Sequence, residues 1–412
     1  MPSQPYLERR RRLMEELADG LIIIRGRGIE GVNPNFFYLT GIAASSATLL
    51  LAAGGVRVGT GRRNPGPDYV NGTMAKQILF LPPTDDLAAR WGEDSAVTMD
   101  SLEEDRLGLD AVLGSAEMND VMTASLNVAS TVYLVRGYPP SLAGPADDDT
   151  LYADRIRSRF LGIRVENGTP AVHDMRRIKD EGEQQAILRS IGVTAEAIDA
   201  VVPKLEPGLR EHELEAEIAR VYRAHGGTHA FDPIVGSGPN ALKLHYTVNN
   251  GPVGAGELLL IDTGVSIDGY KSDITRTFPV DGKFTPRQRE IYGVVLRAQE
   301  EAIAMCRPGT RIGDIHARSF EVMAEAGFGG EDYPHGIGHH LGLETHDVGD
   351  VHRPLEVGAV MTIEPGIYVA EDGIGVRIED NVLVTEDGPR VLSEEIPKTV
   401  DALENWVSQG RR

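Results

Sequence analysis

Five side chains in the second half of the sequence have the types and order to hold metal: Asp262, Asp273, His339, Glu364 and Glu379. They occur in the segments LLLIDTG, YKSDITRTF, HGIGHHLGLETHD, MTIEPG and VRIED. Brought together, four carboxylates and one imidazole make a hard, oxygen-rich cage suited to two divalent cations, a combination that activates water for hydrolysis. The chemistry therefore depends on whether these residues converge.

Turn chemistry answers part of that. The apolar runs Glu257 to Asp262 and Tyr270 to Phe278 flank Asp268-Gly269. An Asp-Gly pair between such runs predicts a two-residue hairpin loop, because both loop positions need positive φ. Counting outward pairs Asp262 with Thr275 and Gly264 with Asp273. The two acids then share a face as diagonal neighbours, with Cβ atoms roughly 7 Å apart. Carboxylates so placed repel unless a cation lies between them. A second hairpin, with an even loop centred on Glu371-Asp372 and followed by Gly373, sets Glu364 opposite Glu379. Pro365-Gly366 is where that register is weakest. Any one of these acids reads as a surface carboxylate; two pairs within apolar strands do not.

The histidines are less determined by spacing. His335 and His339 stand four apart, but Gly336 and Gly338 disfavour a helix and no glutamate follows His335. A glycine-rich extended loop presenting several imidazoles is the expectation. Each histidine alone reads more often as a hydrogen-bonded structural residue. The group His335, His339, His340 and His346 points toward function. His245, in LKLHY, is not assignable from spacing.

The elements that must position these groups fall into two parts. A chain of 412 residues exceeds one ordinary core. In the first ~170 residues, runs at 22–24, 47–51, 78–81 and 132–135 predict strands, and 5–18 and 150–161 predict helices. Gly54 to Asn71 and Ser141 to Asp149 read as loops, and Arg164 to Asp174 as the junction. Helices are then predicted over 180–202, 210–225, 286–306 and 312–326. Two helix–helix–strand blocks suggest a duplicated half-fold without a sequence repeat, and an α+β domain with a curved antiparallel sheet under helices. The expected domains are 1–170 and 171–412.

Acidic residues outnumber basic ones 62 to 41, a net charge of −21 that repels phosphate backbones and argues against nucleic-acid binding. The basic run Arg9 to Arg12 has no apolar stretch behind it and does not read as a secretory signal. No apolar run is long enough to span a bilayer. Cys306 is the one cysteine; it excludes an internal disulfide and suits a reducing cytoplasm.

At IVGSGPNALKLHY, LIDTGVSIDGYKSDITRTF, HGIGHHLGLETHD, TIEPGIYV and GVRIEDNVLVTEDG the chain resembles the metallopeptidase superfamily of methionine aminopeptidase, Xaa-Pro aminopeptidase, Xaa-Pro dipeptidase and creatinase, most closely its proline-directed branch. The resemblance implies a pita-bread catalytic domain behind a smaller creatinase-like α/β domain, of which NFFYLTG (35–41) looks like a signature. It implies that Asp262, Asp273 and Glu379 hold one metal and that Asp273, His339, Glu364 and Glu379 hold the other. Manganese is the first expectation, with cobalt, iron or zinc as alternatives. It further implies Glu364 as general base, His245 and His346 as groups that orient substrate and stabilise the intermediate, His335 as a pocket wall, and Arg377 as support for the carboxylates. The partner implied is a short peptide, and a homodimer or higher homo-oligomer is the expected assembly.

Specificity is less legible. His340 stands where the proline-directed relatives usually carry an aromatic residue, and Ile42-Ala-Ala-Ser-Ser46 lacks the acid that often follows the signature in aminopeptidases. Arg62 and Arg63 read as solvated surface or as a site for a substrate carboxylate. Trp91 reads as structural or as a residue lent to a neighbouring subunit's site. An Xaa-Pro aminopeptidase is the leading expectation. The rivals are an Xaa-Pro dipeptidase or carboxypeptidase, a methionine aminopeptidase, and a binding protein that has lost catalysis.

Overall fold

The computed structural model describes residues 4–28, 31–58, 73–82, 107–137 and 145–409. Arg62, Arg63 and Trp91 lie outside the described residues. The chain divides into two compact units, Met1–Met175 and Arg176–Arg412.

In the first unit the helices are α1 (Gln4–Glu16), α2 (Pro34–Thr40), α3 (Ser115–Val128), α4 (Asp148–Arg159) and α5 (Thr169–Arg176). The strands are β1 (Leu21–Arg25), β2 (Thr48–Val58), β3 (Thr73–Leu81), β4 (Ala111–Gly114), β5 (Thr131–Val135) and β6 (Arg164–Asn167), in the spatial order β4-β3-β2-β1-β5-β6. β1 is central, antiparallel to β2 and parallel to β5, which is why Leu-Ile-Ile-Ile is apolar on both faces. The expected loop from Gly54 begins later than its glycines suggest: β2 continues to Val58 through Gly54-Gly55, absorbing them as a register shift against β3. The expected loop to Asp149 likewise ends earlier, because Asp147 caps α4 by accepting from the amides of Asp149 and Thr150. In the basic run, Arg9 and Arg10 are buried and donate to the carbonyls of Tyr38 and Leu39. They are structural.

The second unit carries α6 (Glu181–Val201), α7 (Glu211–Ala224), α8 (Pro286–Ala304), α9 (Ile312–Glu325) and α10 (Val400–Gln409). Its strands are β7 (Ile234–Ser237), β8 (Leu258–Thr263), β9 (Val265–Ile267), β10 (Tyr270–Lys271), β11 (Ile274–Pro279), β12 (Val360–Ile363), β13 (Gly366–Val369), β14 (Ile374–Arg377), β15 (Asp380–Thr385) and β16 (Gly388–Val391). β7-β8-β11 and β12-β15-β16 form antiparallel sheets, with β13-β14 a separate ribbon. Asp180 with Glu183, and Thr285 with Gln288, form capping boxes that start α6 and α8. Ala302, Ile303 and Ile315 pack on Met361, Ile363, Val382 and Val384, so α8 and α9 cover β12 and β15. Arg276 and Asp380, both fully buried, pair at 2.7 Å; Gln299 Nε2 and Lys398 Nζ donate to the other oxygen of Asp380, and the Ser393 hydroxyl donates to the first. That supplies the partners a buried charge requires. Among the described residues no helix is long and apolar enough to cross a membrane.

Candidate metal centre

The first hairpin has the register that its turn predicts. Asp262 pairs with Thr275, Thr263 with Ile274, and Ile267 with Tyr270, while Asp268 and Gly269 take φ of 52° and 82°. Gly264 permits the close crossing: a Cβ there would lie 1.9 Å from the carbonyl oxygen of Ser272. Every residue of β8 and β11 is buried. Asp262, within β8, and Asp273, immediately before β11, are therefore both carried into the interior.

The second hairpin keeps its predicted register on both sides of its break. Gly366 pairs with Arg377 and Val369 with Ile374; beyond Pro365, Ile363 pairs with Asp380. Glu364 and Glu379 flank the interruption between these ladders. Main-chain and amide bonds stitch the two hairpins together: Glu379 N–H donates to the Thr275 carbonyl at 3.1 Å, and Asn381 Nδ2 donates to the Asp273 carbonyl at 2.6 Å.

The histidine segment is extended, as its glycines predict. His340 bridges Met361, and main-chain bonds run from Thr362 N to His339 O and from Glu364 N to Ile337 O, each 2.8 Å. Gly338, at φ 149°, lies so close to β12 that a Cβ would meet the Thr362 carbonyl oxygen at 2.1 Å. His339 Nδ1 lies 3.0 Å from the His340 carbonyl oxygen. A carbonyl only accepts, so Nδ1 carries a proton, which leaves Nε2 as the ring atom available to a metal. That Nε2 faces Asp273 Oδ2 at 3.5 Å and Glu364 Oε1 at 3.6 Å.

Asp273, His339 and Glu379 offer ligand atoms within 4.8 Å of one another. Glu364 joins them through His339, and Asp262 lies against Asp273 and Arg377. Burial pushes the carboxyl of Asp273 well above its usual range, and Asp262 and Glu364 add to it. Burial, then Asp273, Glu364 and Asp262, do the same to Glu379. Burial also raises Glu364, against the opposing pull of His339 and Arg377. Asp262 Oδ1 and Glu379 Oε1 are buried without a hydrogen-bond donor. Bare buried carboxylate oxygens beside like charges are costly. Divalent metal removes that cost, so the residues fit an oxygen-rich metal site.

Arg377 donates from Nη2 to Asp262 Oδ2 at 2.6 Å and from Nη1 to the Tyr368 hydroxyl at 2.7 Å. It reaches Glu379 only through Thr275, whose hydroxyl accepts from Arg377 Nε at 3.3 Å and donates to Glu379 Oε2 at 2.7 Å. His335 donates from Nδ1 to the Gly336 carbonyl and accepts at Nε2 from Tyr368, between the rings of Tyr333 and Tyr368. Burial first, then Arg377, lowers its pKa to about 4, so it stays neutral. His346 packs edge-on against His339 at 4.2 Å between centroids; burial, then His339 and His245, depresses its basicity. His245 is exposed. His340 is buried with its ring against Gly349, where a Cβ would clash at 1.8 Å. The turn places Thr275 opposite Asp262 but does not reveal its bond to Glu379; Tyr368 and Asn381 carry no local signal.

Residues 185–386 match Metallopeptidase family M24. Over 92% of its length the chain is 33% identical to the Xaa-Pro aminopeptidase of Escherichia coli, of which 89% is covered. It is 32% identical to that of Haemophilus influenzae, covering 99% of this chain and 98% of the relative. Among solved structures, aminopeptidase P from Escherichia coli with the inhibitor Pro-Leu superposes with a TM-score of 0.85 at 30% identity, covering 100% of this chain and 99% of that one. Proline aminopeptidase P II from Yersinia pestis gives 0.81 at 30% identity, covering 99% and 100%. The antiparallel sheets under helices are the pita-bread arrangement of these structures.

Proposed function

The chain belongs to metallopeptidase family M24, and from that premise we propose that it removes the amino-terminal residue from short peptides whose second residue is proline. The observation that carries the reading is the convergence of Asp273, His339 and Glu379 beside two bare buried oxygens, on Asp262 and Glu379. It is joined by the likeness to relatives named Xaa-Pro aminopeptidase along nearly the whole chain.

Asp262, Asp273 and Glu379 would hold one cation, and Asp273, His339, Glu364 and Glu379 the other, with Mn(II) the metal that best suits oxygen donors and one imidazole. Bound there, two such cations would supply acidification of water, polarisation of the scissile carbonyl and neutralisation of developing negative charge. Glu364 takes the proton of the attacking water and returns it to the departing proline nitrogen. His346 and His245 donate to the oxygen that was the scissile carbonyl and keep the peptide in line. His335, neutral between two tyrosine rings, offers an apolar wall to the pyrrolidine ring. Arg377 fixes the direction of the Asp262 carboxylate.

A reducing cytoplasm is supported by the single buried cysteine. A homodimer is supported by the prevalence of two-fold symmetry in soluble oligomers.

The test is a peptide panel with metal-reconstituted protein. Ala-Pro-Ala with a free amine is cleaved after alanine, whereas its amino-acetylated form is not. Cleavage confined to the dipeptide Ala-Pro, or of the blocked peptide, would replace the aminopeptidase reading with a dipeptidase or carboxypeptidase one.

A further inference from the structure

Glu211, the first residue of α7, has no exposed surface. Both of its carboxylate oxygens are used. Oε1 accepts from the Ser237 amide at 2.9 Å and from Asn240 Nδ2 at 3.0 Å; Oε2 accepts from the Tyr246 hydroxyl at 2.7 Å and the Gly251 amide at 2.6 Å. The Glu211 amide in turn donates to the Gly251 carbonyl at 3.1 Å. A carboxylate held by donors to both oxygens, at a helix N-terminus, is stable in the interior without a paired cation.

These donors come from the two ends of one loop. Ser237 closes β7, Asn240 follows it, and Tyr246 and Gly251 lie on the returning limb. Gly251 approaches so closely that a Cβ would stand 2.4 Å from Asn240 Nδ2 and 2.9 Å from Glu211 Oε2. His245 is the neighbour of Tyr246 and is exposed on this loop. The loop has no regular structure between Lys243 and Asn250, so its shape depends on these side-chain bonds.

We infer that Glu211 is the positioning residue for His245: by tying both limbs of the 237–251 loop to the start of α7, it fixes the segment that carries that imidazole. The inference rests on the proposed role of His245 in peptide turnover. Glu211 touches neither substrate nor metal and acts through the loop alone. A displacement of the order of 1 Å at a group that orients substrate is enough to lower turnover by about a hundredfold.

The experiment is a double-mutant cycle on the metal-loaded enzyme with Ala-Pro-Ala, using Glu211→Gln, His245→Ala and both together. Glutamine keeps the size of the side chain but turns an N–H₂ toward donors that need an acceptor. In the wild-type background E211Q lowers kcat by about tenfold with metal content kept; in the His245→Ala background it lowers kcat by less than about twofold, because the group it positions is gone. Amides of Ser237 and Gly251 exchange faster in E211Q. Tyr246→Phe removes only the hydroxyl link and gives a smaller, equally non-additive loss, which keeps the test open if E211Q does not fold. Equal losses from the positioning variant in both backgrounds overturn the inference and leave His245 in place. Wild-type kcat in His245→Ala instead overturns the reading of His245 itself.

Discussion

Arg377 donates from Nη2 to one oxygen of Asp262 at 2.6 Å, and the other oxygen of that carboxylate is buried without any donor. A carboxylate held on one side and bare on the other is an aimed ligand. The guanidinium reaches three partners at once, Asp262, Tyr368 and Thr275, which a lysine ammonium on a flexible stem cannot reproduce.

Arg377→Lys therefore weakens metal binding without deleting a ligand. Loss of an outer partner of a metal ligand typically costs about 10–100-fold in affinity or activity. Metal titration by calorimetry should show a dissociation constant raised by that factor. An unchanged constant would sever Arg377 from the orientation of Asp262.

Asp273→Asn and Glu379→Gln each remove a charge from the centre of the cluster. Activity should fall by at least about a hundredfold, the scale set by much more distant partners. The metal-free proteins should shift the other way. Burial and neighbouring acids raise both carboxyls well above their ordinary range, so near neutral pH each ionised group destabilises the metal-free fold, and that penalty grows as pH rises from the unfolded value toward the folded one. Replacing one with its amide should raise the Tm of the chelated protein and lower the gain on adding metal. A chelated variant that melts below chelated wild type contradicts the like-charge account.

The same cluster marks how far sequence could reach. Asp268-Gly269 was decisive because only such a pair takes positive φ twice in a row, and once the turn is fixed the pairing of Asp262 with Thr275 follows by counting. The register of Glu364 and Glu379 survived Pro365 because ladders on either side of the break hold it. What counting could not supply were bonds between segments about a hundred residues apart: Thr275 to Glu379, Asn381 to Asp273, Arg377 to Asp262. His339 is not separable by spacing from His335, His340 and His346, since its direction comes from pairing with β12. α3 lies outside the predicted helices: Gly114 supplies no side-chain cap to mark its start, although Met118, Val121, Met122 and Leu126 stand at helical spacing.

His346→Ala removes the ring that packs on His339 but no ligand atom. Turnover should fall by about 10²-fold or more, the cost of deleting one donor to a developing oxyanion, while metal content measured by emission spectrometry stays at the wild-type value. Loss of metal in this variant would make His346 part of the cage.

The histidine segment is also anchored from its far side, and that anchor gives a pH signature. Asp347 is buried with Lys179 Nζ 3.0 Å from its Oδ2 and Arg176 on its Oδ1. Burial alone would raise its carboxyl; Lys179 and Arg176 more than reverse this and bring it to about 2. A folded value below the unfolded value of about 4 means that the stabilisation is fully present above pH ~4 and is lost as pH falls toward 2. Lys179→Met takes away one of the two cations while keeping most of the side chain's bulk. The carboxyl then moves up toward its ordinary range, so acid unfolding begins at higher pH, and stability at pH ~7 drops by about 3 kcal/mol, the low end for breaking a buried pair because Arg176 remains. Cys306 reports the transition independently. It is fully buried and its thiol is pushed up to about 12 by that burial, so a thiol reagent labels it only as the second unit opens. Acid titrations of wild type and Lys179→Met, quenched at intermediate pH and labelled, should give curves displaced toward higher pH in the variant. Superimposable acid limbs would show that Lys179 does not hold Asp347 ionised.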